Sequence, residues 1–453
     1  MQRLTLVAAL LAGALAFAQS TGAPAAEPTS AQLHVPYEKY TLKNGLEVIL
    51  HEDHRLPLVT VSVWYHVGAL NEVPGRSGFA HLFEHMMFQG SQHVADDQHI
   101  SMLERLGATD LNGTTNFYRT NYFETLPANQ VETALWLESD RMGFLLQALT
   151  PEKLKTQQEV VKNERRQRYE TSPYGLAREK EWQALFPAPH PYHGMVIGSM
   201  KDLDAASLED VSQFFRTWYA PSNATLTVAG DIDKAHIKEV IEKYFATLPS
   251  PPKPNPPNVA KVTLEHPVRI DHVEQVATLP MVSVAWLSPA LFEPGDAEAD
   301  VLASILANGK ASRLQRRLVR EKRIAQAVSA HQQSLQEQSV FGIEATVAPG
   351  HTPEEVLKEI DAVLDDIRQK GVTAEEVLRT RNRIETGFVS GLQSIGEKAD
   401  LLQAYNHFFG EPDSFGRDLA RYEQVTPKDV AAFVKNVLTP NRVVTFAVPE
   451  VKP

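Results

Sequence analysis

The chain has 453 residues, enough for two or more domains with complete cores, and its 43% hydrophobic and 22% charged content is that of a soluble globular protein. A formal net charge of −12 argues against nucleic acid as a partner, because phosphate binding needs a basic surface. Cysteine is absent, which excludes disulfides, thiolate metal sites and thiol nucleophiles; any metal must rest on histidine and carboxylate, a donor set that suits zinc among others.

The N-terminus has the pattern of a secretory signal over 1–18. Arg3 supplies the positive region, Leu4 to Phe17 the apolar run, and Ala16-Phe17-Ala18 a small-x-small cleavage site before Gln19; Ala23-Pro24-Ala25 offers a second site. A bacterial periplasmic or secreted location is the expectation, and no later segment is long enough to span a membrane. Residues 19–36, rich in Ala, Pro, Ser and Thr, read as an unstructured lead-in.

Order is expected from Tyr37. Thr41 to Leu50 reads as a hairpin with Asn44-Gly45 in a type I′ turn. Val59 to Val67 alternates like a strand, Gly68 to Gly75 is rich in turn residues, and Gly78 to Phe88 has helical spacing. Asp97 to Leu106 and Val131 to Leu146 read as amphipathic helices, with two short strands between Asp110 and Pro127. Pro151 opens a long helix through Glu164 to about Tyr169, capped by Thr150.

Pro249 to Asn258 holds six prolines in ten residues and reads as a stiff exposed linker. It separates a first domain, 37–248, from a second, 261–453, with the linker over 249–260. The halves echo each other. Leu56-Pro-Leu-Val-Thr-Val-Ser-Val-Trp64 resembles Leu279-Pro-Met-Val-Ser-Val-Ala-Trp286, and Tyr219 to Val228 resembles Leu438 to Phe446. The expected fold is therefore α+β: two homologous domains, each a mainly antiparallel sheet with helices on one face.

The chemistry concentrates in His81-Leu-Phe-Glu-His85. Residues four apart share a helical face, so both imidazoles can reach one ion, while Glu84 lies beside that face and can reach a water without ligating. Two surface histidines on a solvated helix would be the plain alternative. The flanks Phe79, Ala80, Leu82, Phe83, Met86, Met87 and Phe88 instead mark a buried helix, where two partnerless histidines would be costly. Hydrolytic zinc takes three protein ligands and a water, so a third ligand is needed. The Pro151 helix offers Glu164, with Glu159 as a rival and an ion pair to Arg168 as the plain reading of Glu164.

This motif, followed 79 residues later by Glu164 in Val-Val-Lys-Asn-Glu, closely resembles the M16 peptidases, including pitrilysin, insulin-degrading enzyme and the mitochondrial processing peptidases. The resemblance covers 37–450 and implies the M16 fold, shared with LuxS-like metallohydrolases. It implies a zinc endopeptidase with one Zn2+ held by His81, His85 and Glu164, and Glu84 as general base. The spacing is slightly long, as a short insertion around Thr109 to Leu111 would explain. Asn112, Gly113 and Thr114, in Asn112-Gly-Thr-Thr115, resemble the family's substrate-pairing edge strand, with Gly113 where Ala is usual. Gln157 stands where well-known members carry a Glu behind the ligands.

In the second half the resemblance implies an Arg and, seven residues on, a Tyr that hold substrate near zinc. This chain has Arg320 but Ala327, and Asp300 to Ser304 brings no ligands. The second half is thus expected to be a scaffold. A related subunit carrying the missing Arg and Tyr is the expected partner, forming a heterodimer around peptide substrate; a homodimer is the alternative. A structural or assembly subunit without metal is the rival function.

Overall fold

The computed structural model describes residues 33–450. The expected signal peptide and most of the lead-in lie outside the described residues. Within the described part, order begins before Tyr37: Val35 is buried beside Ile49, Leu402, Tyr405 and Phe415, and its N–H donates to Asp413 Oδ1 at 3.1 Å.

The first half contains strands β1 (Glu38–Thr41), β2 (Glu47–Glu52) and β3 (Leu58–Tyr65), then helices α1 (Phe79–Met86) and α2 (Gln98–Arg105). Strands β4 (Thr109–Thr115) and β5 (Thr120–Pro127) follow, then α3 (Val131–Phe144), α4 (Pro151–Arg165), α5 (Gly175–Leu185), α6 (Met200–Ala205), α7 (Leu208–Trp218), β6 (Ala224–Gly230) and α8 (Lys234–Phe245). The second half runs β7 (Val268–Glu274), β8 (Met281–Ser288), α9 (Asp296–Ala307), β9 (Ala325–Gln333), β10 (Ser339–Val347), α10 (Pro353–Lys370), α11 (Ala374–Gly391), α12 (Ile395–Phe409), α13 (Phe415–Gln424), α14 (Pro427–Asn436) and β11 (Val443–Pro449).

The strands form two sheets, ordered β1-β2-β6-β3-β5-β4 and β7-β11-β8-β10-β9. Removing β1 makes the two orders correspond strand for strand. Each sheet is antiparallel except for one parallel pair, β2–β6 in the first and β7–β11 in the second. The echoed sequences occupy equivalent places, β3 with β8 and β6 with β11. The α+β duplication expected from the sequence is present, and 249–267 between the halves carries no helix or strand.

The β1–β2 hairpin forms, but its turn is not type I′. Gly45 N–H donates to Leu42 O and Leu42 N–H to Leu46 O, both at 2.9 Å, and of Asn44 and Gly45 only the glycine has positive φ, at 92°. This is a type I turn closed by a left-handed glycine, the three-residue alternative for the same dipeptide. Asn44 is kept out of the left-handed region while its amide donates to Phe245 O and Leu248 O.

Each half's own helices pack on one face of its sheet, around separate apolar cores. The opposite faces are covered by exchange. Helix α12 of the second half lies across β6 and β3, and α5 of the first half lies across β11, β7 and β8. Gln403 on α12 donates to Ser62 O at 2.9 Å and Thr225 O at 3.1 Å. On α5, Glu181 accepts from Ser283 Oγ at 2.9 Å, and Arg178 forms a two-point ion pair with Glu344. Beside α5, Phe117, Tyr118, Trp182, Phe186 and Tyr192 meet Ala285, Leu335, Val340 and Val443 in an apolar cluster shared by the two halves.

Candidate metal centre and its surroundings

Helix α1 is short and almost wholly buried, as its apolar flanks require. Its first turn is fixed from outside. Glu72 Oε2 and Oε1 accept from the N–H groups of Gly78 and Ala80, each at 2.9 Å, so a carboxyl group that burial pushes up to about 8 meets the open N–H groups of the first turn. Gly78 has φ 87°, and a Cβ there would come within 2.7 Å of Ile197 O, so glycine is needed on both counts.

Helix α4 packs beside α1 and supplies the third group. Its start is as expected: Pro151 occupies the first turn and Thr150 Oγ1 accepts from Lys153 N–H. Beyond Arg165 the chain continues as a π-helical turn, Arg166–Glu170. Ligand-capable atoms of His81, His85 and Glu164 lie within 4.8 Å of one another, the one such group of three among the described residues. Glu164 Oε2 is 3.3 Å from His85 Nε2 and 3.6 Å from His81 Nε2. Its Oε1 is 2.9 Å from Arg168, so the ion pair and the clustering with histidine coexist on the two carboxylate oxygens. The rival Glu159 is instead paired with Lys162 at 2.6 Å and half exposed.

These groups suit a cation. Burial, with His85 nearby, lowers the His81 imidazole to about 4, so it presents a neutral nitrogen as a metal ligand must. Burial works to raise the Glu164 carboxyl, but the close approach of the His85 and His81 imidazoles and of the Arg168 guanidinium holds it below its ordinary value. Two imidazoles and an ionised carboxylate are the donor set of hydrolytic zinc. His81 Nδ1 is buried with no hydrogen-bond partner among the described residues. Gln157 is buried on the same helix as Glu164, but no hydrogen bond among the described residues joins it to His81, His85 or Glu164.

Glu84 points from α1 toward β4, where Thr115 Oγ1 donates to its Oε2 at 2.6 Å. Burial raises the Glu84 carboxyl above its ordinary value, against the lowering effect of that bond. Gly113 faces the same way: a Cβ on it would sit 3.1 Å from Glu84 Cγ and 3.1 Å from the Tyr122 ring.

Strand β4 is the open edge of its sheet. Asn116 N–H donates to Arg119 O, so alternation along the ladder turns the main chain of Asn112 and Thr114 toward β5 and that of Gly113 and Thr115 toward the open edge. Gly113 N–H is met by Asn112 Oδ1 at 2.9 Å. Thr114 is engaged on the other face, where its Oγ1 donates to Asn121 at 2.6 Å and its carbonyl accepts from Arg119. Of the three residues expected to pair with substrate, Gly113 thus offers its main chain to the edge and Asn112 its side chain. Thr115 carries the second outward main-chain position and the bond to Glu84. Its place at the end of Asn112-Gly-Thr-Thr115 is the sequence signal for it. A cleft of about 480 Å³ opens beside Glu84 and His85.

In the second half, α9 occupies the place of α1 without histidine. Burial pushes the Asp300 carboxyl up to about 6, and Tyr422 OH donates to it at 2.9 Å. Arg320 is exposed on a π-helical turn, Gln315–Glu321, and Ala327 is exposed on β9, the edge strand equivalent to β4.

Residues 47–183 match the family described as Insulinase (Peptidase family M16), and residues 205–384 match the Peptidase M16 inactive domain. Zinc protease PqqE of Helicobacter pylori is 31% identical over 386 residues, spanning 83% of this chain and 84% of the relative. The crystal structure of a protease from Helicobacter pylori matches with a TM-score of 0.86 at 27% identity, covering 92% of this chain and all of that one. The first half of the periplasmic protease PqqL from Escherichia coli has the same fold, with a TM-score of 0.73 at 18% identity over 92% of this chain and 93% of that one.

Proposed function

Since the chain belongs to peptidase family M16, we propose that it is a zinc-dependent endopeptidase acting on extended peptides, with His81, His85 and Glu164 as ligands and Glu84 as general base. The observation that carries this reading is the convergence of the three donor atoms beside Glu84. Zinc, when bound, supplies polarisation of the scissile carbonyl and acidification of the attacking water. Glu84 takes the water's proton and passes it to the leaving amine. With Oε2 held by Thr115, Oε1 is the oxygen that serves as the base. The outward main-chain groups of Gly113 and Thr115 pair with the peptide as an added strand, which fixes its backbone and leaves the side chains to choose the sequence. The substrate carbonyl would displace Asn112 Oδ1 from Gly113 N–H.

The test is zinc content measured together with cleavage of an unstructured peptide. Stoichiometric zinc with turnover supports the reading. Absence of both, at every zinc concentration tried, would instead establish the assembly-subunit alternative.

The partner is a related M16 subunit that supplies an Arg and a Tyr to this zinc site, in a heterodimer. The exposed Arg320 and Ala327 on the second half support this, because a second copy of the chain would present no Tyr hydroxyl there. A homodimer in which another residue does that work is the alternative. A periplasmic site of action agrees with the signal-like N-terminus and with the periplasmic PqqL of similar fold; no described helix is long and apolar enough to cross a membrane.

A further inference from the structure

The three donor side chains of the metal centre are unevenly supported from behind. His81 Nδ1 is buried with no hydrogen-bond partner, and among the described residues no ion pair or hydrogen bond joins His85 to anything but Glu164. Glu164 has an outside partner: its Oε1 lies 2.9 Å from Arg168 Nη2, while its Oε2 faces both imidazoles. Metal ligands ordinarily have such partners behind them, and those partners fix which atom is offered to the ion. Here that support comes from one guanidinium.

A surface pair four residues apart is the plain reading of this contact, and such pairs add little. The 67% exposure of the Arg168 side chain favours that reading. The backbone argues against it. Exposed pairs are weak partly because two long side chains must be ordered to make them. Here much of the ordering is done beforehand. Arg168 lies in the π-helical turn Arg166–Glu170, where Thr171 N–H donates to Arg166 O at 2.8 Å and Thr171 Oγ1 at 3.1 Å. The turn is clamped on both sides. Before it, Arg165 Nη2 donates to both carboxylate oxygens of Glu179, each at 2.9 Å, and the Arg165 guanidinium lies over the Tyr169 ring. After it, Gly175 packs so close that a Cβ would come within 2.3 Å of Tyr169 O. Tyr174 is tied to the second half, through its N–H to Glu274 Oε2 and through its hydroxyl to Leu279 O. Single π-helical turns are rare and occur frequently at functional sites.

Building on the zinc reading above, we infer that Arg168 is a positioning residue of the metal centre: by holding Glu164 Oε1 it leaves Oε2 as the one oxygen offered to the ion. A carboxylate free to turn can offer either oxygen or both. A second oxygen on the metal would crowd the position that hydrolytic zinc keeps open for water. Arg168 thus acts through Glu164 rather than on the peptide.

The test compares full-length wild type with Arg168→Met and Arg168→Lys, each loaded with zinc and, separately, with cobalt(II). Cobalt(II) absorbs strongly in the visible when four-coordinate and weakly when it gains a fifth ligand, so it reports whether Glu164 binds through one oxygen or two. The Met variant should lose visible absorption. Its kcat on an unstructured peptide at saturating zinc should fall about tenfold with KM little changed, the lower end of the usual loss when a ligand's outer partner is removed. Lys keeps the cation and should recover most of both. Circular dichroism of each variant shows that the fold is kept. Unchanged absorption or unchanged kcat in the Met variant would overturn the inference, as would a Lys variant no better than Met, and each of these leaves the zinc peptidase reading in place. A wild-type chain that takes up neither metal would overturn that reading along with the inference.

Discussion

Thr115 reaches across from the edge strand to donate its hydroxyl to Glu84 Oε2 at 2.6 Å. This bond ties the strand expected to hold substrate to the carboxylate expected to take the proton. Replacing Thr115 by Val should keep zinc bound but lower kcat about tenfold or more, as expected when a general base loses its orientation. Thr115→Ser should restore most of it. A Val variant with wild-type kcat would mean the bond does not position the base.

Glu84→Gln should retain stoichiometric zinc and lose turnover by roughly 10²- to 10⁴-fold, the usual contribution of a positioned base. Metal analysis and peptide cleavage on the same sample check this. A variant that cleaves normally removes Glu84 from the role assigned to it.

Glu164→Gln should weaken zinc retention against a competing chelator, whereas Glu159→Gln should not. The structure gives the reason: Glu164 Oε2 faces both histidines, while Glu159 is paired with Lys162. Equal chelator sensitivity of the two variants would count against Glu164 as the ligand.

Gly113→Val should be far more damaging than its place on an edge strand suggests. Even a Cβ would lie 3.1 Å from Glu84 Cγ, and a branched side chain must push Glu84 or β4 away. The expected result is a folded, zinc-binding protein with turnover reduced by more than about tenfold, because small displacements of catalytic groups are costly. Circular dichroism, metal analysis and kinetics together distinguish this from unfolding.

Glu181 gives a pH prediction away from the zinc site. Burial raises its carboxyl from the ordinary range to about 7, with Ser283 and Thr445 acting in the opposite direction. A raised carboxyl favours the protonated form in the folded state. It therefore leaves stability intact below the unfolded value and removes stability as pH rises from there through about 7. Glu181→Gln should relieve this penalty, on the order of 3 kcal/mol at pH 8 and under about 1 kcal/mol at pH 5. Thermal melts at both pH values check it; an equal effect at both would mean the carboxyl is ionised throughout.

Much of the site could be read in the sequence because its signals are local. The four-residue spacing of His81 and His85, the apolar flanks and the Thr150-Pro151 helix start each follow from one or two turns of chain. Glu164 needed more, since spacing alone left Glu159 open; the packing of α4 on α1 separates them. The Asn44-Gly45 turn departs from type I′ because that dipeptide serves two turn types, and its surroundings decide. Asn44 is drawn to the carbonyls of Phe245 and Leu248, some 200 residues away in sequence.

What sequence reasoning missed was mostly long-range. Glu72 looks like a loop carboxylate until the fold brings it to the first turn of α1. The crossing of α5 and α12 left no periodic trace that differs from an ordinary amphipathic helix, because a helix records which of its faces is apolar and not which sheet covers it.

That crossing decides what a break in the proline-rich linker would do. Cutting there separates the chain into two pieces, yet each still has a helix lying on the other's sheet. Gln403 remains bonded to Ser62 O and Thr225 O, and Glu181 remains bonded to Ser283. The nicked protein should therefore travel through a sizing column as one particle and come apart only in denaturant. Either half made alone would show a bare sheet face to water and would lean on chaperones or aggregate. The linker's covalent continuity then serves assembly, by keeping two mutually dependent pieces at high local concentration while they fold, rather than holding the finished molecule together.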